Sequence, residues 1–415
     1  MKIAILTEYF YPDNSGGTPT DLTDLSVALK ASYPDLSIDI ITSRNLYRTP
    51  IPPSGLAPAE YWSGLNIKRL KVPKSNRPSM ILRLLCGAVF GAAVLCELFT
   101  RSRYDLVFVV TNPPALAGAV WLHYIIKRVP YVYLVHDLYP DIAVALNRLT
   151  SNSLAAIFFK VVQRSWLIGA SQVVVLGRCM RDHLVERYRI PDCAIVVIPS
   201  WGASLGAINS SSTNSFKRDL NHFGLVVLYA GNLSEYVKIE RLIGAASILT
   251  DRPDILFVLV GDGAHRPTIQ RAVQKFALNN VRLLPSVPRD QMPEVLSGCD
   301  IAFVSLDERM LGLGVPSKLY TILAAGKAVL ATAHWKSEVA RVLCEEECGI
   351  NVISASEQDI AVAILKLADN SAQRRQYGEN ANNAAINKYS LEIACAKYNN
   401  VFRNCFFLGR FRYPT

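Results

Sequence analysis

The stretch that decides the fold is Leu311–Ala331, "LGLGVPSKLYTILAAGKAVLA". A loop with two glycines leads into Pro316–Ser317–Lys318, an apolar helical pattern follows, and Gly326 precedes a short strand. Proline suits the first helical turn, and the hydroxyl, the amides and the ammonium beside it can bind phosphate oxygens. The stretch therefore predicts one α/β unit and leaves two interpretations open, an anion site or a purely structural closure of that unit.

The same alternation of strands and helices extends along the whole chain. Most predicted strands are continuous apolar runs, which are typical of parallel strands covered on both faces. The predicted strands are Lys2–Phe10, Ile38–Thr42, Ile67–Val72, Leu106–Thr111, Tyr131–His136, Gln172–Leu176, Ile195–Pro199, Leu225–Ala230, Ile255–Val260, Val281–Leu284, Ile301–Val304, Ala328–Ala331 and Ile350–Ile353. Helical patterns between them, such as Leu154–Ile168, predict an α/β protein with doubly wound parallel sheets.

The 415 residues favour two domains rather than one. The Ser- and Asn-rich stretch 204–224 separates two βα arrays. We therefore predict an N-terminal domain over 1–205, a linker over 206–223, a C-terminal domain over 224–390, and a helix with a basic tail over 391–415.

Composition excludes several classes of protein. Hydrophobic residues make up 51% and charged residues 19%, which excludes global disorder. The nine cysteines form no regular framework, and the pair Cys344 and Cys348 lacks a second pair or histidine, so we predict reduced cysteines in a cytoplasmic protein without a metal site. The N-terminus predicts a buried strand, not a signal peptide. Residues 1–205 hold 21 Lys and Arg against 14 Asp and Glu, which favours an anionic partner.

Candidate site residues follow the strands of the first array. Gly16–Gly17 lead into a helical pattern, where backbone amides can approach a phosphate or sugar, although such a loop can also need glycine only for positive φ. His136, Asp137 and Asp141 follow the fifth predicted strand. They can serve acid–base chemistry, or Asp141 can cap the next helix while His136 packs at the strand end.

The second array repeats this arrangement. Gly231–Asn232 end its first strand, and Lys238 stands where a cation can meet a diphosphate or can be an ordinary exposed lysine. Gly261-Asp262-Gly263 and Arg266 follow its second strand. The full spacing of a dinucleotide fingerprint is missing, as are a Walker loop and an HExxH motif, which disfavours a nucleotide-cofactor dehydrogenase, a P-loop NTPase and a zinc protease.

The order of these motifs resembles the GT-B nucleotide-sugar glycosyltransferases, specifically the retaining family-four group. The bacterial branch that builds O-antigen, colanic-acid-like and other surface polysaccharides is the most similar. The matching segments are Gly16–Gly17, "VHDLYPD" (135–141), "YAGNL" (229–233), "LVGDGAHR" (259–266), "VPRDQMPEVLSGCDI" (287–301) and "GVPSKLYTILAAGKAVLA" (314–331). Together they span nearly the whole chain.

The resemblance implies two Rossmann-like domains that face each other across a cleft, with the acceptor on the N-terminal side. It implies transfer with retention, no metal or other cofactor, a nucleotide base near Val287–Pro288 and a diphosphate near Lys238 and Ser317–Lys318. The catalytic residues would be His136, Asp137, Lys238 and Lys318. The residues that bind the nucleotide-sugar donor would be Gly16, Gly17, Gly231, Asn232, Gly263, Arg266, Val287, Pro316, Ser317, Tyr320 and Thr321.

Two positions depart from the family pattern. No glutamate lies between Glu308 and Glu338, so Thr321 stands where the family usually holds the nucleotide ribose with a carboxylate. A hydroxyl cannot accept two ribose hydroxyls as a carboxylate does. Asn232 stands where many relatives have arginine, so Lys238 and Lys318 would carry more of the diphosphate charge.

Residues 68–103 predict a possible contact with a membrane. Six basic residues without an acid precede the apolar run Leu84–Cys96, whose thirteen residues are fewer than the roughly 20 that span a bilayer. One interpretation is a buried helix. The other is an interfacial helix whose basic flank meets anionic lipid at about 1 kcal/mol per charge, peripheral on the cytoplasmic face of the inner membrane.

We therefore predict a glycosyltransferase that moves a sugar from a nucleotide-sugar donor to a glycan acceptor linked to polyprenyl diphosphate, in surface polysaccharide biosynthesis. A sugar-nucleotide epimerase of the same fold and a non-catalytic partner subunit, the latter suggested by Thr321 and Asn232, are the alternatives. Nucleic-acid binding has only the net charge of +10 in its favour and no motif, so we predict no nucleic-acid partner.

Overall fold

The computed structural model describes residues 1–13, 17–47, 55–74, 80–100, 103–202 and 224–407. Contacts divide the chain into two compact units. The first comprises residues 1–199, 312–314 and 391–415, and the second comprises 200–311 and 315–390. The predicted linker over 206–223 and the predicted site residue Gly16 lie outside the described residues.

The first unit is built on an eight-stranded sheet in the order β3-β4-β2-β1-β5-β6-β7-β8. All neighbouring strands are parallel except β3, which pairs antiparallel with β4. The strands are β1 (Lys2–Leu6), β2 (Ser37–Ser43), β3 (Ala59–Trp62), β4 (Leu65–Leu70), β5 (Leu106–Val110), β6 (Tyr131–Val135), β7 (Gln172–Val175) and β8 (Ile195–Val197). Strands β5, β6 and β7 are buried throughout, as their continuous apolar runs predict.

Helices cover this sheet. They are α1 (Thr18–Ser32), α2 (Met80–Thr100), α3 (Pro114–Lys127), α4 (Asp141–Ala145), α5 (Leu154–Gly169), α6 (Arg178–Tyr188) and α14 (Leu391–Phe407). Helix α14 contacts α1, β5 and β6, where Tyr398 and Phe402 pack edge-on against Phe108 with ring centroids 5.6 Å and 5.2 Å away. Helix α2 packs on α3, and α3 contacts α5.

The second unit is built on a six-stranded parallel sheet in the order β11-β10-β9-β12-β13-β14. Its strands are β9 (Leu225–Ala230), β10 (Ile255–Val260), β11 (Val281–Leu284), β12 (Ile301–Ser305), β13 (Ala328–Thr332) and β14 (Gly349–Asn351). Its helices are α7 (Glu240–Ile248), α8 (Arg266–Lys275), α9 (Met292–Ser297), α10 (Lys318–Ala324), α11 (Glu338–Glu345), α12 (Glu357–Ala368) and α13 (Ser371–Asn387). Apolar cores fill both faces of this sheet, so it is doubly wound.

Each sheet has a position where the direction of strand addition reverses. In the first unit β1 lies between β2 and β5, and in the second unit β9 lies between β10 and β12. Ligands of open α/β sheets bind outside the carboxyl ends of the strands at such a switch point. The loops after β9 and β12 are therefore the first place to look for a site in the second unit.

Two differences between the predicted and the observed strands are larger than two residues. Strand β1 ends at Leu6 instead of Phe10, because the backbone of Glu8 leaves the regular ladder: its carbonyl accepts from the amide and hydroxyl of Ser43 and from the hydroxyl of Thr42. Strand β3 was not predicted. Its four residues alternate between exposed and partly buried at the sheet edge and lack an apolar run.

Candidate active site

In the second unit, polar groups gather where β9 and β12 end. Gly231 and Asn232 follow β9, and Asp307 follows β12. The loop after β12 is tied to the short 3-10 helix Glu235–Val237, because the Asp307 amide donates to the Tyr236 carbonyl at 2.9 Å. This is the switch point of the sheet, so the predicted residues Gly231, Asn232 and Lys238 lie on loops of one edge.

Glycines allow the loops after β9 and β10 to touch. A Cβ on Gly261 would lie 1.9 Å from the carbonyl oxygen of Gly231, and one on Gly263 would lie 2.3 Å from that of Leu233. Both glycines have positive φ, 156° and 158°. The Leu233 amide also donates to the Asp262 carbonyl at 2.9 Å. Backbone contact between the two loops therefore requires glycine at both positions.

Lys318 extends from the first turn of α10 to the end of β9. Its Nζ donates to the Tyr229 hydroxyl at 2.7 Å and lies 4.0 Å from the centroid of that ring. A Cβ placed on Gly231 would lie only 2.7 Å from this Nζ, so glycine leaves the ammonium open towards the loop. Burial lowers the pKa of Lys318 to about 7. The lysine is thus a desolvated cation that a second negative group would stabilise.

Tyr229 connects Lys318 to the loop after β9, because its hydroxyl donates to the Asn232 carbonyl at 2.7 Å while it accepts from Lys318. Burial raises the pKa of Tyr229, so the phenol stays neutral and keeps its proton for this bond. The residue therefore fixes both the ammonium and the turn that follows β9. The apolar run Leu225–Ala230 predicts a core position for Tyr229 but not this polar role.

We expect Tyr229→Phe to weaken nucleotide binding by about tenfold, since it removes the acceptor that holds Lys318 and the donor that holds the Asn232 carbonyl. The ring stays, so the cation–π contact and the core packing persist. Isothermal titration calorimetry with the preferred nucleotide would measure the change. Unchanged affinity, with an unchanged melting temperature, would contradict the positioning role.

Lys238 lies on the same edge but is paired with an acid. Its Nζ is 3.3 Å from Asp307 Oδ2, and the same carboxylate accepts from Arg309 Nη2 at 2.6 Å. Burial alone would raise the pKa of Asp307, but the hydrogen bonds from Arg309 and Lys238 lower it to about 2. Asp307 is therefore ionised, and it orients Lys238. Its single negative charge does not neutralise both Lys238 and Arg309.

The remaining predicted residues of the second unit occupy different environments. Arg266 donates to the carbonyls of Gly261 and Leu284, so it braces the loop between β10 and α8. Tyr320 is fully buried and packs on Tyr389, which is the environment of a core residue rather than of a ligand contact. Partial accessibility is also found at four predicted residues not discussed so far, which are Val287, Pro316, Ser317 and Thr321.

In the first unit, His136 and Asp137 follow β6 directly. The Thr111 hydroxyl accepts from the backbone amides of both residues, at 3.1 Å and 3.3 Å. Desolvation lowers the pKa of His136 to about 4, and its buried Nε2 has no hydrogen-bond partner among the described residues. Desolvation raises the pKa of Asp137 to about 6, although the residue keeps an exposed edge. A neutral imidazole thus lies beside a carboxyl that titrates near neutral pH.

The glycine loop 312–314 packs against these residues within the first unit. The Leu138 amide donates to the Leu313 carbonyl at 3.1 Å. A Cβ on Gly314 would lie 3.3 Å from Asp137 Oδ1, and a Cβ on Gly312 would lie 2.7 Å from the His183 Cβ. The two glycines therefore let the backbone approach the strand-end residues closely.

Asp141 does not cap α4, which corrects one of the two interpretations of this residue. Its carboxylate accepts from the Tyr188 hydroxyl and lies 3.3 Å from His183 Nε2. Burial alone would raise the pKa of Asp141, but these hydrogen bonds lower it. Asp141 therefore fixes α6 beside the strand end, which leaves His136 and Asp137 as the acid–base candidates.

Gly17 precedes α1 with a positive φ of 66°, and no atom of the described residues lies within 4 Å of a Cβ built on it. Its conformation thus fits both the structural and the ligand-binding interpretation.

Three groups that contact predicted site residues were not foreseen: Tyr229, Asp307 and the pair His183 with Tyr188. Tyr229 and Lys318 are 89 positions apart, and Asp307 and Lys238 are 69 positions apart. Asp141 is 42 positions from His183 and 47 from Tyr188. No local sequence pattern reveals such contacts.

Two family models match the sequence. The model of the group 1 glycosyl transferases matches residues 210–384, and that of a glycosyl transferase 4-like domain matches residues 16–201. Together they cover far more than half of the chain. The chain is a glycosyltransferase with a 4-like domain and a group 1 domain. The predicted resemblance to the family-four group is thereby confirmed, and this glycosyltransferase carries Lys318 and Lys238 within the group 1 match.

Relatives of this glycosyltransferase include two bacterial glycosyltransferases, one of which is named for a polysaccharide pathway. WbjE of Pseudomonas aeruginosa, named as a probable glycosyltransferase, is 27% identical over 68% of this chain and 70% of its own length. WcaI of Escherichia coli (strain K12), a glycosyl transferase named for colanic acid biosynthesis, is 25% identical over 75% of this chain and 78% of its own length.

Solved structures share the fold. WaaG, a glycosyltransferase involved in lipopolysaccharide biosynthesis, has a TM-score of 0.71 and 16% identity over 96% of this chain and 99% of its own. Anabaena HepE, solved in complex with UDP and glucose, has a TM-score of 0.69 and 17% identity over 97% of this chain and 99% of its own. The predicted GT-B fold of the glycosyltransferase is confirmed.

Proposed function

We propose that this glycosyltransferase moves a sugar from a nucleotide-sugar donor to a glycan in surface polysaccharide biosynthesis. The observation that supports it most is the Lys318 ammonium, which is desolvated by burial and directed at Gly231 where β9 ends. A desolvated lysine beside a side-chain-free loop at a switch point suits a diphosphate. HepE binds UDP in a fold of the same kind, and the name of WcaI, a colanic acid biosynthesis glycosyl transferase, supports polysaccharide synthesis.

In the proposed reaction, the bond between the anomeric carbon and the diphosphate oxygen breaks, and its electron pair leaves with the nucleoside diphosphate. The acceptor hydroxyl oxygen bonds to the same carbon, and its proton passes to an oxygen of the leaving diphosphate. Lys318 and Lys238 stabilise the negative charge that develops on the diphosphate, which is electrostatic catalysis. A lysine whose pKa is about 7 when free gains its full charge as the anion binds.

His136 is proposed to orient the donor sugar. Its pKa of about 4 keeps the imidazole neutral at pH 7, so it can hydrogen-bond a sugar hydroxyl without placing a second charge beside the anomeric carbon. Asp137 follows it and titrates near neutral pH. Transfer with retention and without a metal is part of this proposal, and it follows from the family resemblance.

Thr321 favours a second candidate, a non-catalytic partner subunit. It is half-buried on α10, and its side chain offers one hydroxyl where the family places a ribose-binding carboxylate. A chain that had lost nucleotide binding would tolerate this replacement. The position of the Lys318 ammonium beside Gly231 favours the enzyme. A measurement of nucleotide binding distinguishes the enzyme from the non-catalytic subunit.

The acceptor is proposed to be a glycan linked to polyprenyl diphosphate at the cytoplasmic face of the inner membrane. Residues 68–103 would make the peripheral contact. Among the described residues, one helix, Ile81–Thr100, is long and apolar enough to cross a bilayer by length and composition. One face of α2 is nevertheless packed into the unit through Cys86, Phe90, Val94 and Leu98, and Glu97 pairs with Lys68 of β4.

We expect one nucleotide among UDP, GDP, ADP, CMP and dTDP to raise the melting temperature of the purified protein. At a ligand concentration of about 100 times Kd, mass action adds ~2.7 kcal/mol, equivalent to roughly 5–10 °C for a unit of this size. Lys318→Ala should lose the shift. Lys366→Ala, at an exposed lysine of α12, should keep it. A protein that no nucleotide stabilises would favour the non-catalytic subunit.

A further inference from the structure

Helix α5 carries two apolar faces. Ala156, Gln163 and Leu167 form its buried face. A second stripe at helical spacing, Leu154, Ile157, Phe158 and Val161, points to solvent, and Leu154, Phe158 and Val161 are 87%, 62% and 60% exposed. A helix that only covers a sheet needs one apolar face. A contiguous exposed stripe of this kind therefore calls for a partner.

Helix α2 presents a similar stripe at the same end of the unit. Its first two turns expose Ile81, Leu82, Leu84, Leu85 and Val89. A Cβ on Gly87 would lie 3.0 Å from Pro113, and one on Gly91 would lie 3.3 Å from the carbonyl of Ala115, so α2 and α3 run in the same direction. The residues of α2 before Gly87 therefore extend past the beginning of α3.

The first turns of α5 extend past α3 in the same way. A Cβ on Gly118 of α3 would lie 2.7 Å from Trp166, and one on Gly169 would lie 2.7 Å from Trp121, so these helices are also parallel. These contacts place Val161 level with the beginning of α3. At a rise of 1.5 Å per residue, Leu154 lies about 10 Å further along the helix axis, past the beginning of α3. Both stripes thus protrude at the carboxyl end of the sheet, the end at which His136 follows β6.

The charged side chains of α2, α3 and α5 are basic with one exception. The sequences of α3 and α5 contain no acid, and the single acid of α2, Glu97, is paired with Lys68. Arg83 of α2 and Lys160 and Arg164 of α5 are exposed next to the apolar stripes. Exposed aromatic and aliphatic side chains with interleaved basic residues match an anionic lipid surface, where the chains enter the interface and the cations meet headgroups.

We propose that the stripes of α2 and α5, named here the α2/α5 surface (Ile81, Leu82, Leu84, Leu85, Val89, Leu154, Ile157, Phe158 and Val161), dock on an anionic bilayer. The inference deepens the proposed function and rests on it for the lipid-linked acceptor. It adds α5 to the contact that residues 68–103 predict. Docking through two protruding helix ends presents the carboxyl edge of the first sheet, with His136, to the membrane.

Vesicle flotation tests the proposal on the full-length protein. We expect partition onto vesicles of phosphatidylglycerol and phosphatidylcholine, little partition onto phosphatidylcholine alone, and loss of binding at high salt. The triple variant Leu154→Gln/Phe158→Gln/Val161→Gln should lower partition at least tenfold. The matched control is Val362→Gln/Ile386→Gln, which alters side chains of the second unit that are 62% and 61% exposed and should leave partition unchanged.

Three outcomes would overturn the proposal. The first is equal partition of wild type and triple variant, and the second is no partition of the wild type. The third is a wild-type dimer in sedimentation velocity that the triple variant dissociates, without vesicle binding, which would make the surface a self-association interface. The nucleotide thermal shift, measured on the same proteins, reports the proposed function separately. A shift without vesicle binding rejects only the surface, and vesicle binding without a shift rejects only the function.

Discussion

Replacing Lys318 by alanine is expected to lower kcat/KM by about a hundredfold or more, because removal of a preorganised group that stabilises transition-state charge costs this much. The loss should appear in both kcat and nucleotide affinity, since the ammonium meets the diphosphate before and during its departure. Release of nucleoside diphosphate from the donor identified by thermal shift is the measurement. Unchanged turnover in Lys318→Ala would reject the diphosphate site at this residue.

The pH dependence of donor binding provides a second readout of the same lysine. The pKa of free Lys318 is about 7, and a bound diphosphate raises it, so binding takes up a proton. Donor affinity should therefore be full below about pH 7 and fall by up to tenfold per pH unit above it, until the pH reaches the pKa of the complex. A sugar ester of the nucleotide is the suitable ligand, because its diphosphate has no proton that titrates near neutral pH.

Lys318→Arg is the control for this profile. A guanidinium stays charged at every accessible pH, so the variant should bind donor with little slope between about pH 7 and 9. Lys366→Ala should retain both the turnover and the slope of the wild type. A slope that persists in Lys318→Arg would assign the titration to another group, of which Asp137, with a pKa of about 6, is the first to consider.

Gly261→Ala is expected to destabilise the second unit by about 3 kcal/mol or more and to abolish nucleotide binding. The new Cβ would lie 1.9 Å from the Gly231 carbonyl oxygen, and φ is 156°, so steric overlap with backbone adds to conformational strain. Relief requires the loop after β9 to move, and that loop lies beside Lys318. Urea denaturation monitored by circular dichroism, together with nucleotide titration, measures both effects.

Gly224→Ala is the matched control. A Cβ there would meet the Asp254 Cβ at 3.4 Å, an ordinary contact, and this glycine is not among those with positive φ. It should leave stability and nucleotide binding near those of the wild type. If Gly261→Ala were equally harmless, the contact between the loops after β9 and β10 would not be tight in solution. The proposal that this contact positions the diphosphate site would then be rejected.

Local patterns predicted most of the fold because parallel strands covered on both faces need uninterrupted apolar residues. Leu225–Ala230, Ile255–Val260 and Val281–Leu284 were predicted with their observed bounds, and so was the helix Leu391–Phe407. The edge strand Ala59–Trp62 escaped because it is short and half exposed, and its pairing depends on the neighbouring β4 rather than on its own composition.

The site was predictable only in part. The types and order of residues placed Gly231, Lys238 and the helix start with Lys318 at one sheet edge, because carboxyl ends of parallel strands share that edge. The direction of each side chain was not predictable. Lys318 turns to the Tyr229 hydroxyl and Lys238 to the Asp307 carboxylate, and both contacts arise from tertiary packing. Tyr320, by contrast, satisfied the pattern of a ligand contact while packing made it a core residue.

The helix Leu391–Phe407 has a consequence for synthesis of the protein in the cell. It packs against β5 and β6 and covers Phe108, so the first unit is incomplete until this helix has been synthesised. At 5–20 residues per second, the ribosome needs about 10–40 s to reach this helix after it has passed residue 199. During that time the apolar surface around Phe108 is uncovered, so the nascent chain should recruit chaperones, and a ribosome that stalls before residue 391 should release an aggregation-prone fragment.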